Sequence, residues 1–180
     1  MKSESIVLIG MAGVGKSSIG LSLSRSLGFN FIDLDEYILE EGGRTLQEII
    51  DEEGEEAFIQ LEKRRMYETD LSHTVVAPGG SIIYHSDLME YLKQHSTLVY
   101  LEDSFENIEE RLTSVSARGI VGLKNKSLRR IYDERRPLYS RYTDITINCQ
   151  AKSQDEVVRE ILQHFVVSRK QGYLGPPSKD

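Results

Sequence analysis

A chain of 180 residues, 39% hydrophobic and 28% charged, suits one α/β domain with a real core and is too apolar for a disordered chain. Its net charge of −7 argues against a nucleic-acid-binding body, and a lone cysteine, Cys149, excludes an intrachain disulfide and points to a reducing, cytoplasmic setting. The N-terminal apolar run meets Gly10 after five residues and no other stretch nears spanning length, which excludes a signal peptide or a membrane span.

In chain order, Ser5–Ile9 reads as a buried strand. Lys16–Leu27 reads as a helix with Ile19, Leu23 and Leu27 on one face, Phe29–Ile32 as a second strand, and Asp35–Glu41 as a helical turn stopped by Gly42-Gly43. Thr45-Leu46-Gln47-Glu48 is a capping box that opens a helix to about Glu53, and another helix is expected from Glu55 to Thr69. Thr74–Ala77 is a third strand, broken by Pro78-Gly79-Gly80. A helix over Ser86–Gln94 and a strand over Thr97–Leu101 follow, then a second capping box at Asp103-Ser104-Phe105-Glu106 with a helix to about Thr113. Ser114–Lys126, with two glycines and no clean period, reads as a mobile loop. Ser127–Arg136 is expected to be helical and to end against Pro137, and Asp144–Asn148 is the fifth strand. A third capping box at Ser153-Gln154-Asp155-Glu156 opens the last helix, to about Ser168. Residues 1–170 then form one domain and Gln171–Asp180 a disordered tail. Alternating strands and helices imply parallel pairing, right-handed crossovers and helices on both faces.

Gly10-Met11-Ala12-Gly13-Val14-Gly15-Lys16-Ser17 fits G-x-x-x-x-G-K-[ST], after an apolar strand and before an amphipathic helix. In such a loop the glycines let backbone N–H groups converge on phosphate oxygens, and the helix adds its positive end. Lys16 is expected to reach the β- and γ-phosphates, and Ser17 to ligate Mg²⁺. Met11, Ala12, Gly13, Val14, Gly15 and Ser18 complete the nucleotide contacts. A GTPase would need Asn-Lys-x-Asp, but Asn125-Lys126 continues as Ser127-Leu128. From Arg111 to Arg141 nine Lys/Arg stand against Asp133 and Glu134. That basic island is either a solvated face or a surface meeting an anion. A small-molecule kinase, closing a lid over ATP to exclude water, fits this combination.

From Ile6 to Leu162 the sequence resembles the shikimate kinases. The resemblance is carried by Gly10–Ser17, Phe31-Ile32-Asp33-Leu34-Asp35, Gly43-Arg44-Thr45-Leu46-Gln47-Glu48-Ile49, Gly54-Glu55-Glu56-Ala57-Phe58, Pro78-Gly79-Gly80, Arg118, and Arg135-Arg136-Pro137-Leu138-Tyr139. It implies a P-loop nucleoside-triphosphate hydrolase fold: a five-stranded parallel sheet of order 2-3-1-4-5, helices on both faces, and a mobile lid over about 114–126. It also implies a monomer that uses ATP and Mg²⁺ to phosphorylate a hydroxyl, turning shikimate into shikimate 3-phosphate.

By the same resemblance Asp33 helps hold Mg²⁺ through water and Asp35 meets the substrate hydroxyl as base or orienting acceptor. The residues alone allow Asp35 to be a helix N-cap instead. Gly79 and Gly80 would approach the substrate with bare backbone, and Arg135 would grip its carboxylate. Arg118 would reach the phosphates from the lid. Arg111 and Lys152 match positions near the adenine pocket.

The departures fall on the substrate side. The family's Phe-Arg is Phe58-Ile59 here, so one of two carboxylate-binding arginines is missing, and Lys63 is a candidate replacement one turn on. The family's Gly-Gly-Gly is Gly79-Gly80-Ser81, preceded by Pro78, and Arg-Pro is Arg118-Gly119. Two other readings therefore stay open: a paralogue acting on a different polyol or hydroxy acid, and a nucleotide-binding regulator without turnover.

Overall fold

Strands buried on both faces can only be satisfied between two layers, and three such strands organise this chain. In the computed structural model, which describes residues 4–114 and 119–171, β1 (Ile6–Ile9) leads through the phosphate loop into α1 (Lys16–Leu27). β2 (Asn30–Asp33), α2 (Leu34–Gly42), α3 (Leu46–Glu53) and α4 (Glu55–Glu68) follow. Then come β3 (Thr74–Ala77), a 3₁₀ turn over Gly80–Tyr84, α5 (Ser86–His95) and β4 (Thr97–Glu102). The chain continues through α6 (Phe105–Ser114), α7 (Leu128–Tyr142), β5 (Ile145–Asn148) and α8 (Gln154–Gln171).

All five strands run parallel in the order β2-β3-β1-β4-β5, as the resemblance implied. β1 sits in the middle, with Ile6 level with Val75 on one side and Thr97 on the other. β1 and β3 are buried along their whole length, whereas the edge strand β5 alternates buried and exposed residues. The connections from β1 to β2 and from β3 to β4 run in opposite directions across the sheet. Right-handed crossovers therefore put α1 and α5 on opposite faces. α1 packs with α8 on one face, and α5 packs with α7 on the other. This reversal places a crevice beyond the carboxyl ends of β2, β3 and β1, where open α/β sheets hold ligands.

Three expectations shift. α7 does not stop at Pro137 but continues to Tyr142. A proline inside a helix costs about 3 kcal/mol, yet Ile131, Arg135, Tyr139 and Tyr142 form one buried stripe that only a continuous helix supplies. The carbonyl left without its N–H belongs to Asp133, which is exposed and within reach of water. The second capping box is displaced by one residue: Ser104 Oγ accepts from Asn107 N, while Asp103 accepts from the Asn107 side chain. The boxes at Thr45 and Ser153 form as expected. Finally, β2 ends at Asp33, and the N-cap of α2 is Asp33 rather than Asp35.

Candidate active site

The phosphate loop curls because its glycines allow it. Gly15, at the head of α1, has φ +101°, a conformation that a side chain would strain. No side chain caps α1 and no acidic residue occupies its first turn. The amides at its head are thus directed at whatever occupies the loop. Lys16 Nζ donates to the carbonyls of Gly10 and Met11, both at 3.0 Å. Burial holds its ammonium down to about 8, against the pull of Asp35.

Ala12, Gly13, Gly15, Lys16, Ser17 and Ser18 line one end of a cavity of about 550 Å³. Met11 and Val14 belong to the loop, but their side chains are buried in the core, and the Val14 N–H donates to the Met11 carbonyl. Arg111 reaches the same end, donating to the Gly13 carbonyl and pairing with Asp103 at 2.8 Å. Lys152 does not reach the cavity; it pairs with Glu160. Arg118 lies outside the described residues.

Asp33, Asp35, Gly79, Gly80 and Arg135 line the other end. Asp33 Oδ1 accepts from the amides of Asp35 and Glu36, so the capping role goes to Asp33 and leaves the Asp35 carboxyl free of it. Asp35 Oδ1 is buried without a hydrogen-bond partner. Burial, reinforced by Asp33, pushes this carboxyl up to about 6.

The glycine pair turns out to make room for protein side chains. A Cβ on Gly79 would stand 2.2 Å from Glu62 Oε1 and 3.3 Å from Asp35 Oδ1; one on Gly80 would stand 2.9 Å from Arg135 Nη1. Tyr139 fixes this turn by donating its hydroxyl to the Gly80 carbonyl at 2.7 Å. Glu62 is 0% exposed, and its Oε2 accepts from Ser81 Oγ at 2.6 Å. Burial, with the negative charge of Asp35 adding, pushes Glu62 up to about 7. Sequence reasoning missed Glu62, although a signal was present. It stands at the i+4 position between Phe58 and Met66, a charged residue in a buried stripe.

Arg135 is 1% exposed, and its hydrogen-bond partners are neutral: Nε donates to the Tyr84 hydroxyl at 3.2 Å and Nη2 to the Val121 carbonyl at 3.0 Å. A buried guanidinium bonded only to neutral groups is poised to receive an anion. Lys63 does not assist: its ammonium pairs with Asp87 at 2.6 Å and it lines a different surface hollow with Gln60, Arg64, Tyr67 and Glu68. Ile59 packs against the core and lines another hollow, with Tyr84 and His85.

From the loop that was expected to be mobile, residues 119–126 form successive turns held to α3 and α4. The Gly119 amide donates to Gln47, the Gly122 amide to Glu55, and Lys124 pairs with Asp51.

A parallel sheet with a phosphate loop at the tip of its central strand, facing a buried carboxyl and a guanidinium, defines a P-loop kinase. The family model for shikimate kinase matches residues 12–166. The shikimate kinase of Persephonella marina is 34% identical over 161 residues, spanning 88% of this chain and 97% of that one. The chain belongs to the shikimate kinase family. Among solved structures, the shikimate kinase from Acinetobacter baumannii in complex with shikimate superposes with a TM-score of 0.85 at 30% identity, covering 92% of this chain and 94% of that one. The Aquifex aeolicus shikimate kinase superposes with a TM-score of 0.71 at 28% identity, covering 96% and 99%. No helix among the described residues is long and apolar enough to cross a membrane.

Proposed function

We propose that this chain transfers the γ-phosphoryl group of ATP to a hydroxyl of shikimate, giving shikimate 3-phosphate and ADP. The observation that carries the reading is one cavity lined at one end by the phosphate loop and at the other by Asp35 and Arg135.

In this reading the α1 amides and Lys16 hold the triphosphate, and Lys16 exchanges its two carbonyl partners for phosphate oxygens. Arg135 receives the acceptor carboxylate and so turns the ring toward Asp35. Asp35 takes the hydroxyl proton as the oxygen attacks phosphorus and the bond to the ADP oxygen breaks. Arg118 is assigned, by family resemblance, the charge that develops on the equatorial oxygens.

The donor set fits a magnesium ion of the usual kind. Ser17 and Asp33 both line the cavity, Asp33 uses its Oδ1 as a cap, and no group of three His, Cys, Asp or Glu among the described residues forms a closed metal cage. Mg²⁺ keeps several waters and binds through one or two protein oxygens plus phosphates. When bound, it would supply positive charge to the phosphate oxygens; Ser17, and Asp33 through water, are the residues that would hold it. The lone thiol of Cys149, buried, is consistent with a cytoplasmic setting.

Ile59, which supplies no second guanidinium, favours one rival: a paralogue acting on another hydroxylated acid or polyol. A coupled ADP-release assay with shikimate and gluconate side by side separates the two. Saturable release with shikimate is expected. Release with gluconate alone selects the paralogue, and no release with these, with homoserine or with other small hydroxylated acids favours a nucleotide-binding regulator.

A further inference from the structure

Tyr84 is 40% exposed and does not line the main cavity; it lines the hollow that also contains Ile59. Its hydroxyl accepts from Arg135 Nε at 3.2 Å, and its ring lies under the guanidinium, 5.1 Å from centroid to Cζ. The Val121 carbonyl takes one Nη2 hydrogen.

A guanidinium has five N–H donors and can meet a carboxylate along its Nε edge or at its Nη1/Nη2 end. With Nε committed to Tyr84, only the end remains, and Nη1 lies beside Gly80 at the cavity wall. Neither Ile59 nor Lys63 brings a second cation to help orient the anion.

We propose that Tyr84 is a positioning residue for acceptor recognition, holding the Arg135 guanidinium by its Nε so that its Nη1/Nη2 end meets the acceptor carboxylate. The inference rests on the function proposed above. It makes the tyrosine the local answer to the arginine that this chain lacks: one guanidinium fixed in direction instead of two converging.

The test compares wild type, Tyr84→Phe, Tyr84→Ala and Ile59→Arg with shikimate and with its neutral carboxamide. Loss of one hydrogen bond from the guanidinium to a neutral acceptor predicts a KM for shikimate raised roughly 3- to 10-fold in Tyr84→Phe, with kcat and the KM for ATP unchanged. Removing the ring as well, in Tyr84→Ala, extends this to roughly 10- to 100-fold. The carboxamide, which offers no charge, is expected to bind wild type and Tyr84→Phe alike. In an Ile59→Arg background the Tyr84→Phe penalty shrinks below about twofold, because a second guanidinium then orients the carboxylate.

A wild-type chain that phosphorylates shikimate, with Tyr84 variants indistinguishable from it, overturns the inference alone. So does a parallel loss for shikimate and carboxamide, or a loss shared with ATP, since a merely structural tyrosine behaves that way. A wild-type chain that binds ATP but neither binds nor phosphorylates shikimate overturns the function proposed above, and the inference falls with it.

Discussion

The two ends of the cavity are built by different means. The nucleotide end is built mainly from one continuous stretch, Gly10 to Ser18, whose working parts are backbone amides and a single lysine, with Arg111 reaching in from α6. The acceptor end is assembled from α2, α4, α7 and the turn after β3, and its working parts are side chains that meet only in the folded chain. An amide carries no sequence identity beyond a need for glycine in places, so the first end is tightly spelled and easily kept. A pocket of converging side chains can exchange one member for another. Ser81 lines that end, while Ile59 and Tyr84 line the neighbouring hollow, where Tyr84 accepts from its Arg135.

The comparison is broken most severely by Lys16→Ala. Removing the only cation of the loop is expected to reduce turnover to background and weaken ATP binding, read by ADP release and by nucleotide titration. Activity near wild type in this variant would mean that the loop does not serve the reaction. Asp35→Asn is the matching cut at the other end. It should leave ATP affinity within about twofold and lower kcat by roughly 10²–10⁴, the usual contribution of a positioned base. Loss of ATP binding would instead give Asp35 a role in the nucleotide end.

Gly79→Ala sharpens the contrast between a glycine needed for backbone shape and one needed for space. Gly79 has φ −59°, which alanine accepts freely, so the whole effect is the overlap with Glu62 Oε1 at 2.2 Å. Overpacking of this sort costs roughly 1–3 kcal/mol, and the displaced carboxyl disturbs Asp35. A raised KM for acceptor, an unchanged KM for ATP, and a stability cost that largely disappears in a Glu62→Ala background are the expected outcomes. An equal cost with and without the Glu62 side chain would show that the contact is not the cause.

The same division explains what was legible from residues alone. Gly10–Ser17 announces itself because its chemistry is local and contiguous, and the strand–loop–helix context is local too. The sheet follows from apolar runs that need two covered faces. Asp33 and Asp35 were visible as a pair, but which one caps α2 depends on where β2 ends, a one-residue matter of register. Lys63 looked like a substitute because it lies on the right helix, and only the fold reveals that Asp87 claims it. The continuation of α7 past Pro137 is likewise decided by the buried stripe of Arg135, Tyr139 and Tyr142, a tertiary effect that outweighs a strong local signal. Glu62 interacts with Ser81 nineteen residues away, and Arg135 with Tyr84 fifty-one residues away.

A change in stability with pH tests whether the acceptor end stores instability. Glu62 is pushed from an ordinary 4.5 up to about 7 by burial and by the charge of Asp35. Below pH 4.5 the folded and unfolded chains both hold this proton, and its contribution to stability is fully present. Between pH 4.5 and about 7 the unfolded chain releases the proton while the folded chain keeps it, so stability falls as pH rises. Above about 7 both are ionised and the loss is complete, on the order of a few kcal/mol. Glu62→Gln keeps an acceptor for Ser81, offers its amide hydrogens toward the unpartnered Asp35 Oδ1, and cannot ionise. Urea midpoints of the two proteins should therefore lie close together at pH 5 and separate progressively through pH 6 and 7, with the variant the more stable at pH 8. Asp35 has its carboxyl pushed up to about 6 and contributes a slope of the same sign, so the variant's curve flattens without becoming level. Parallel curves across that range would mean that Glu62 ionises as freely in the folded chain as in the unfolded one, and that the acceptor end is no more strained than the loop opposite it.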